Sequence, residues 1–258
     1  MRSIAIVTGA SSGIGKEIVK TIDREYANID EVWVVARRED RLTELAADVF
    51  VPLKIIALDL AIPASIDVLK DKLAASKPNV KLLVNAAGYG KFGRVGELPL
   101  EEEVGMVRLN CEAMTAITST VLPYIPRGGK IIQIASSAGF APQPNFGIYA
   151  ATKAYVISYS RALHEELRER NITVTAVCPG PVKTEFFDVA ESMTSVPFMS
   201  NLPKTDPKSE AKHALKDSRK GKPVSTYGPV AKGFRIATKL LPVGLLLLAS
   251  RAYMKDKA

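Results

Sequence analysis

The stretch Ile4-Ala5-Ile6-Val7-Thr8-Gly9-Ala10-Ser11-Ser12-Gly13-Ile14-Gly15 passes from an apolar, β-branched run through a glycine-rich turn into a helical pattern that continues to Tyr26. A turn of this kind lets backbone come close to a pyrophosphate, and the start of the following helix offers N–H donors and positive dipole. Glycines alone mark only a turn, so the meaning of this one depends on the rest of the chain.

Five more apolar runs rich in Val and Ile follow: Val32 to Val35, Ile55 to Leu58, Leu82 to Val84, Ile131 to Ile134 and Thr173 to Val177. Segments with helical spacing separate them, Tyr149 to Arg170 being the longest. Strands that are apolar throughout, alternating with helices, predict an α/β fold in which a doubly wound parallel sheet carries helices on both faces. Its ligand crevice is expected outside the carboxyl ends of the strands, where the strand order reverses. The 258 residues suit one domain, 1–258. Within it, 185–230 reads as a substrate-loop region, with Phe186, Phe187, Met193, Val196, Phe198 and Met199 scattered without a strong period. Residues 231–258 read as an apolar and basic extension.

Composition narrows the partners. Only two cysteines, Cys111 and Cys178, are present, and neither has a neighbour at metal-ligand spacing, so free thiols are expected and neither a zinc site nor any other metal site is. The net charge of +8 does not come with the interleaved aromatics of a single-strand binding groove, and no nucleic acid is expected. The opening residues leave no room for a secretory leader, which places the expected location in the cytoplasm.

With these elements in place, Thr8, Gly9, Ser11, Ser12, Gly13, Ile14 and Gly15 form a Thr-Gly-x-x-x-Gly-x-Gly turn that resembles the short-chain dehydrogenase/reductase family. The resemblance spans roughly the first 185 residues and implies a Rossmann-type fold with a nicotinamide cofactor. Asp59 and Leu60 are similar to the family's adenine-contacting pair. Asn85-Ala86-Ala87-Gly88, preceded by Val84, resembles its Asn-Asn-Ala-Gly turn with one asparagine replaced. Pro179, Gly180, Val182 and Thr184 resemble its Pro-Gly motif, which holds the nicotinamide carboxamide.

Charge bears on the choice of cofactor. An acid at the end of the second strand would accept bonds from a ribose 2′-hydroxyl and repel a 2′-phosphate. Arg37 and Arg38 stand there instead, with Glu39 and Asp40 just beyond. Two guanidinium groups can fork onto a phosphate, which favours NADP(H) over NAD(H); the alternative is a pair of solvated surface charges.

Tyr149 and Lys153 are four apart in a helical segment and share a face. Bringing a phenol from a pKa near 10 to about 7 needs roughly 4 kcal/mol of preferential phenolate stabilisation, and a neighbouring cation is a source of it. Ser136 follows the fifth apolar run and precedes Tyr149 by thirteen residues, a spacing similar to the family's catalytic serine. Ser137 is the adjacent competitor. Asn110 matches the family's fourth catalytic member, which holds a water between the lysine and solvent; its mid-helix position also fits an asparagine that bonds backbone in a kinked helix. His164 and His213 fall outside every motif.

The resemblance implies hydride exchange between nicotinamide and a ketone or secondary alcohol. The apolar tail Lys239 to Leu248, flanked by Lys232, Arg235, Arg251, Lys255 and Lys257, is too short for a transmembrane helix. It can pack on the substrate pocket or a sister subunit, meet a membrane surface peripherally, or fill the core. Together with the Phe and Met residues after Glu185, and a similar extension in hydroxysteroid dehydrogenase-like relatives, it favours an apolar substrate such as a steroid or long-chain lipid. Small carbonyl compounds or 3-ketoacyl substrates are the second reading. A cofactor-binding regulator or scaffold without turnover is the third, disfavoured by the intact Asn110, Ser136, Tyr149 and Lys153. Family members of this kind associate as homodimers or homotetramers through the helices around Asn110 and Tyr149.

Overall fold

The computed structural model describes residues 1–191 and 202–248. Seven strands form one sheet: β1 (Ser3–Thr8), β2 (Glu31–Ala36), β3 (Leu53–Ala57), β4 (Asn79–Asn85), β5 (Lys130–Ile134), β6 (Thr173–Val177) and β7 (Val224–Ser225). Their order is β3-β2-β1-β4-β5-β6-β7, and every neighbouring pair is parallel. The chain therefore winds one way from β1 to β3 and the other way from β4 to β7. The reversal lies between β1 and β4, where Thr8 is in register with Asn85 and the glycine turn begins.

The strands are apolar throughout because both faces are buried, and the period of two sorts their side chains. Ile4 and Ile6 point to one face with Trp33, Leu83, Ile131 and Val174, under α3 (Ala64–Ser76), α5 (Met114–Val121) and α6 (Gly147–Glu166). Ala5 and Val7 point to the other with Val32, Val34, Val84 and Ile132, under α1 (Gly13–Glu25) and α2 (Glu39–Ala47). Each fully buried Ile or Leu contributes roughly 1.5–3 kcal/mol, so a one-residue slip of a strand would turn this gain into a loss. His164 belongs to this packing: its Nδ1 lies 2.8 Å from the Val174 carbonyl oxygen and 3.2 Å from the Val174 nitrogen, tying α6 to β6.

Between α4 (Leu100–Val107) and α5 the chain makes a π-helical turn, Arg108–Ala113, which holds Asn110. The short helix α7 (Phe186–Ala190) follows β6. The expected substrate-loop region 185–230, which reads as a loop or short helices, holds a longer helix at its centre. Residues Pro207–Arg219 form a helix, α8, whose Ala211, Ala214 and Leu215 join the core face of α1 and α2. Its start is well specified: the Asp206 carboxylate accepts the Ser209 N–H at 3.0 Å, and Pro207 occupies the first turn. Met193, Val196, Phe198 and Met199, expected beside the substrate, lie outside the described residues.

The tail begins with α9 (Pro229–Leu240), anchored by Ala231 against Gly180, and residues 243–248 are again helical. Ile236, Leu240, Leu241, Val243, Leu245 and Leu248 are all exposed. This removes core filling for these side chains, and none of them lines the cleft described below. Arg251, Lys255 and Lys257 lie outside the described residues. Among the described residues, no helix is long and apolar enough to cross a membrane.

Candidate active site

At the carboxyl ends of the strands a cleft of about 880 Å³ opens between the glycine turn and α6. Its floor is the turn itself. Gly9 has φ of 66°, and a Cβ there would lie 2.6 Å from the Ala87 backbone nitrogen, so β1 and the turn after β4 can meet only through glycine. The Thr8 hydroxyl fastens the same junction by accepting the N–H groups of Ala86 (3.1 Å) and Ala87 (3.2 Å).

Most residues expected to contact the cofactor line this cleft: Gly9, Ser11, Ser12, Gly13, Ile14, Gly15, Arg37, Arg38, Asp59, Leu60, Ala86, Gly88, Pro179, Gly180, Val182 and Thr184. Thr8 and Asn85 do not. Both are buried behind the wall, Thr8 holding the turn and Asn85 donating from Nδ2 to Thr118 Oγ1 at 3.0 Å. The two arginines differ. Arg37 points outward and lies 3.9 Å from the Asp59 carboxylate, whereas Arg38 donates from Nη2 to Ser11 Oγ at 3.3 Å beside the turn.

The donor set fits a dinucleotide phosphate. The first turn of α1 has no capping side chain and no acidic residue, so its N–H groups and dipole face the cleft without a carboxylate of their own. Arg38 and the Ser11 hydroxyl stand beside them.

At the other end, Ser136, Tyr149 and Lys153 converge. The 3-10 turn Ser137–Phe140 packs so tightly on α6 that a Cβ on Gly139 would lie 2.6 Å from the Lys153 carbonyl carbon. This close approach brings Ser136, at the head of the turn, beside the phenol of Tyr149. Ser136 Oγ accepts the Ala138 N–H at 3.1 Å and stands close enough to the Tyr149 phenol to favour its ionised form. Ser137 also lines the cleft, but it is Ser136 that faces the phenol.

The expected tuning of Tyr149 is altered by packing. Burial dominates and pushes the phenol well above its ordinary value of 10, with the nearby Ser136 hydroxyl acting against it. Lys153 Nζ donates to the Ile134 carbonyl at 2.8 Å and sits 5.6 Å from the Tyr149 ring centre. Its own pKa falls to about 8, because burial disfavours the cation.

Asn110 does not line the cleft. Its Oδ1 accepts the Tyr89 N–H (3.1 Å), and its Nδ2 donates to the Tyr89 carbonyl (2.9 Å) and to Thr152 Oγ1 (3.0 Å). Thr152 in turn donates to the Tyr149 carbonyl at 2.7 Å. Asn110 thus clamps the turn after β4 to α6 from a π-helical turn, a feature often found at functional sites.

Several wall residues carried no motif signal. Phe146 stacks on Tyr149 with ring centres 4.3 Å apart, Phe92 lies 4.1 Å from Phe146, and Phe186 lies 5.3 Å from Tyr149. Tyr89, Gln143, Phe187 and Glu185 also line the cleft. The available signals were position alone: Phe146 is one helical turn before Tyr149, and Glu185 and Phe186 follow Thr184 directly. The thiols stay outside this chemistry: Cys178 is buried and Cys111 half-buried, and burial pushes both up, Cys178 to about 12. Among the described residues, no group of acids, histidines and cysteines could hold a metal ion.

A family model for short chain dehydrogenases matches residues 3–194, which include the whole of this cleft. The chain belongs to that family. An uncharacterized oxidoreductase of Staphylococcus epidermidis is 32% identical over 183 residues, covering 70% of this chain and 78% of its own. A short-chain dehydrogenase from Sphingobium yanoikuyae, solved in complex with NADPH, superposes with a TM-score of 0.78 at 27% identity, covering 100% of this chain and 97% of that one. The closed form of a serine dehydrogenase complexed with NADP+ gives a TM-score of 0.78 at 28% identity, over 88% and 95%. The chain is thus an oxidoreductase of the short-chain dehydrogenase family with a Rossmann-type α/β domain.

Proposed function

We propose that the protein is an NADP(H)-dependent reductase of bulky, apolar ketones, able to run in reverse on the corresponding secondary alcohols. The observation that carries this is the convergence of Ser136, Tyr149 and Lys153 under an aromatic wall, in the same cleft as Arg38 and the glycine turn. The two NADP(H)-bound family structures support the cofactor, and Arg37 and Arg38, in place of a ribose-binding acid, support NADP(H) over NAD(H).

When bound, NADP(H) supplies or receives the hydride at the carbonyl carbon. Ser136 Oγ accepts the Ala138 N–H, and its O–H, on the Tyr149 side, would be offered to the substrate oxygen when substrate is bound. Tyr149 gives its proton to the same oxygen. Because burial keeps the phenol protonated, the chain's own groups set Tyr149 as an acid, which suits ketone reduction. Lys153 stabilises the phenolate left behind and replaces its proton, while Asn110 and Thr152 hold the turn and helix in place. Phe146 and Phe186 exclude water and favour an apolar substituent on the carbonyl carbon.

In keeping with the family, we assign self-association to the faces of α4 and α6, where Val107 and Tyr155 are exposed in the single chain. The substrate reading is tested by following NADPH consumption with ketones of increasing apolar bulk, from acetone-sized compounds to keto-steroids. kcat/KM is expected to rise with size by at least about tenfold, the worth of 1.4 kcal/mol of added apolar contact. A preference for small or charged carbonyls would overturn it.

A further inference from the structure

Glu185 stands where the two halves of the cleft meet. Its carboxylate lies 2.9 Å from Arg38 Nη1 and 3.9 Å from Arg41 Nη1. Arg41 is one helical turn beyond Arg38 on α2, and with Lys16, Lys183, Glu17 and Glu185 it edges a small charged recess beside the glycine turn. The neighbours of Glu185 are as well placed as it is. Thr184 packs against Gly13, where an added Cβ would meet its Cγ2 at 3.3 Å, and Phe186 lies 5.3 Å from the Tyr149 ring. Three consecutive residues therefore touch the glycine turn, the arginine pair and the catalytic ring.

A guanidinium that pairs with a carboxylate through one nitrogen, with a second arginine 3.9 Å from that carboxylate, can also pair with a phosphate, which carries more charge and more acceptor oxygens. A phosphate delivered to Arg38 would compete with Glu185 for the same N–H groups and would also repel its carboxylate. We propose that Glu185 is a specificity-determining residue: it competes with the ribose 2′-phosphate for Arg38 and Arg41, and its release by that phosphate loosens the start of α7 beside the catalytic ring. The inference rests on the proposed placing of the 2′-phosphate at Arg38. It goes beyond that placing by giving the substrate side of the cleft a means of sensing which cofactor is bound.

The test is a binding titration, read by quenching of Trp33 and Tyr emission or by calorimetry, with NADPH and NADH on wild type, Glu185→Gln and Arg38→Ala. The ion pair is half-exposed, so its loss is expected to tighten NADPH by about twofold to fivefold. NADH should change less, so that the NADPH/NADH affinity ratio rises. Equal changes for both cofactors, or none, would overturn the proposal. Arg38→Ala separates the two layers of the argument: weaker NADPH binding there with no effect of Glu185→Gln removes only the role of Glu185, whereas unchanged NADPH binding removes the phosphate site and the proposal with it.

A second measurement compares hydrogen exchange over 185–191 with 2′,5′-ADP and with 5′-AMP, which differ only in the 2′-phosphate and lack nicotinamide. Faster exchange with 2′,5′-ADP alone, abolished in Glu185→Gln, is the expected result. The same exchange with both nucleotides would show that no signal passes through Glu185.

Discussion

Tyr149 and Lys153 illustrate what spacing can and cannot specify. Four residues apart on one helix, they had to share a face, and Ser136 at its distance marked the third partner. Their pKa directions come from packing: the phenol goes up and the lysine comes down to about 8 because both are buried. Burial at the C-terminal mouth of the sheet depends on Gly139, Phe146 and Phe186 closing around them, and no local pattern reports it. Two consequences follow for Lys153. Its protonated form, which in the proposed mechanism replaces the Tyr149 proton, is lost as pH rises, so kcat for ketone reduction should fall above an apparent pKa of about 8. Its folded pKa also lies below the unfolded value of 10.5, so the fold bears the cost of a buried cation at neutral pH. Lys153→Met should therefore remove activity yet stabilise the protein by ~1–2 kcal/mol at pH 7, after allowing for the Ile134 carbonyl losing its donor. That gain should shrink between pH 8 and 10.5, where the wild type sheds the charge. Urea denaturation at pH 7 and 10 checks this, and a variant destabilised at both would contradict it.

At the scale of elements, the six long strands were legible to within three residues, because a strand buried on both faces reads as an unbroken apolar run. The two-residue β7 was too short to carry such a pattern. Helix α8 carries a weak pattern for a different reason. Its buried face uses alanines and a single leucine, diluted by Lys208, Lys212 and Lys216. It also buries Glu210, bonded at 2.8 Å by the Thr205 hydroxyl and raised by desolvation to about 7. For an acid whose folded pKa lies above its unfolded value, the native state binds the extra proton, so stability declines as pH rises from 4.5 toward 7. Glu210→Gln, which keeps the shape and an acceptor for Thr205, should stabilise the fold by ~1–3 kcal/mol at pH 8 and by little at pH 4.5. Chemical denaturation at the two pH values measures it, and an equal effect at both would show that charge is not the cause.

On the scale of the whole molecule, the reversal between β1 and β4 accounts for one cleft serving two chemistries. Loops after β1, β2 and β3 build the glycine turn and the arginines, and those after β4, β5 and β6 build the turn of Gly88, the Ser136 turn and the Pro179 segment. The order of the elements in the sequence predicted this division. It did not predict which surfaces remain uncovered, since exposure of Val107, Tyr155 or Leu240 depends on elements far away in the chain. If α4 and α6 form the self-association face, light scattering should give a mass at a multiple of the 27.9 kDa chain. Val107→Lys with Tyr155→Lys should then return the monomer, because like charges facing across a buried two-fold contact are strongly unfavourable. A wild-type monomer would remove that face as an interface.

The central claim is that Tyr149 transfers the proton while the rest of the cleft holds the cofactor, and its most direct test is Tyr149→Phe, which removes one oxygen and leaves the aromatic wall standing. With a bulky apolar ketone, kcat for NADPH oxidation should drop by about 10²–10⁴-fold while NADPH binding stays within about twofold of wild type. Turnover retained in Tyr149→Phe would contradict the account.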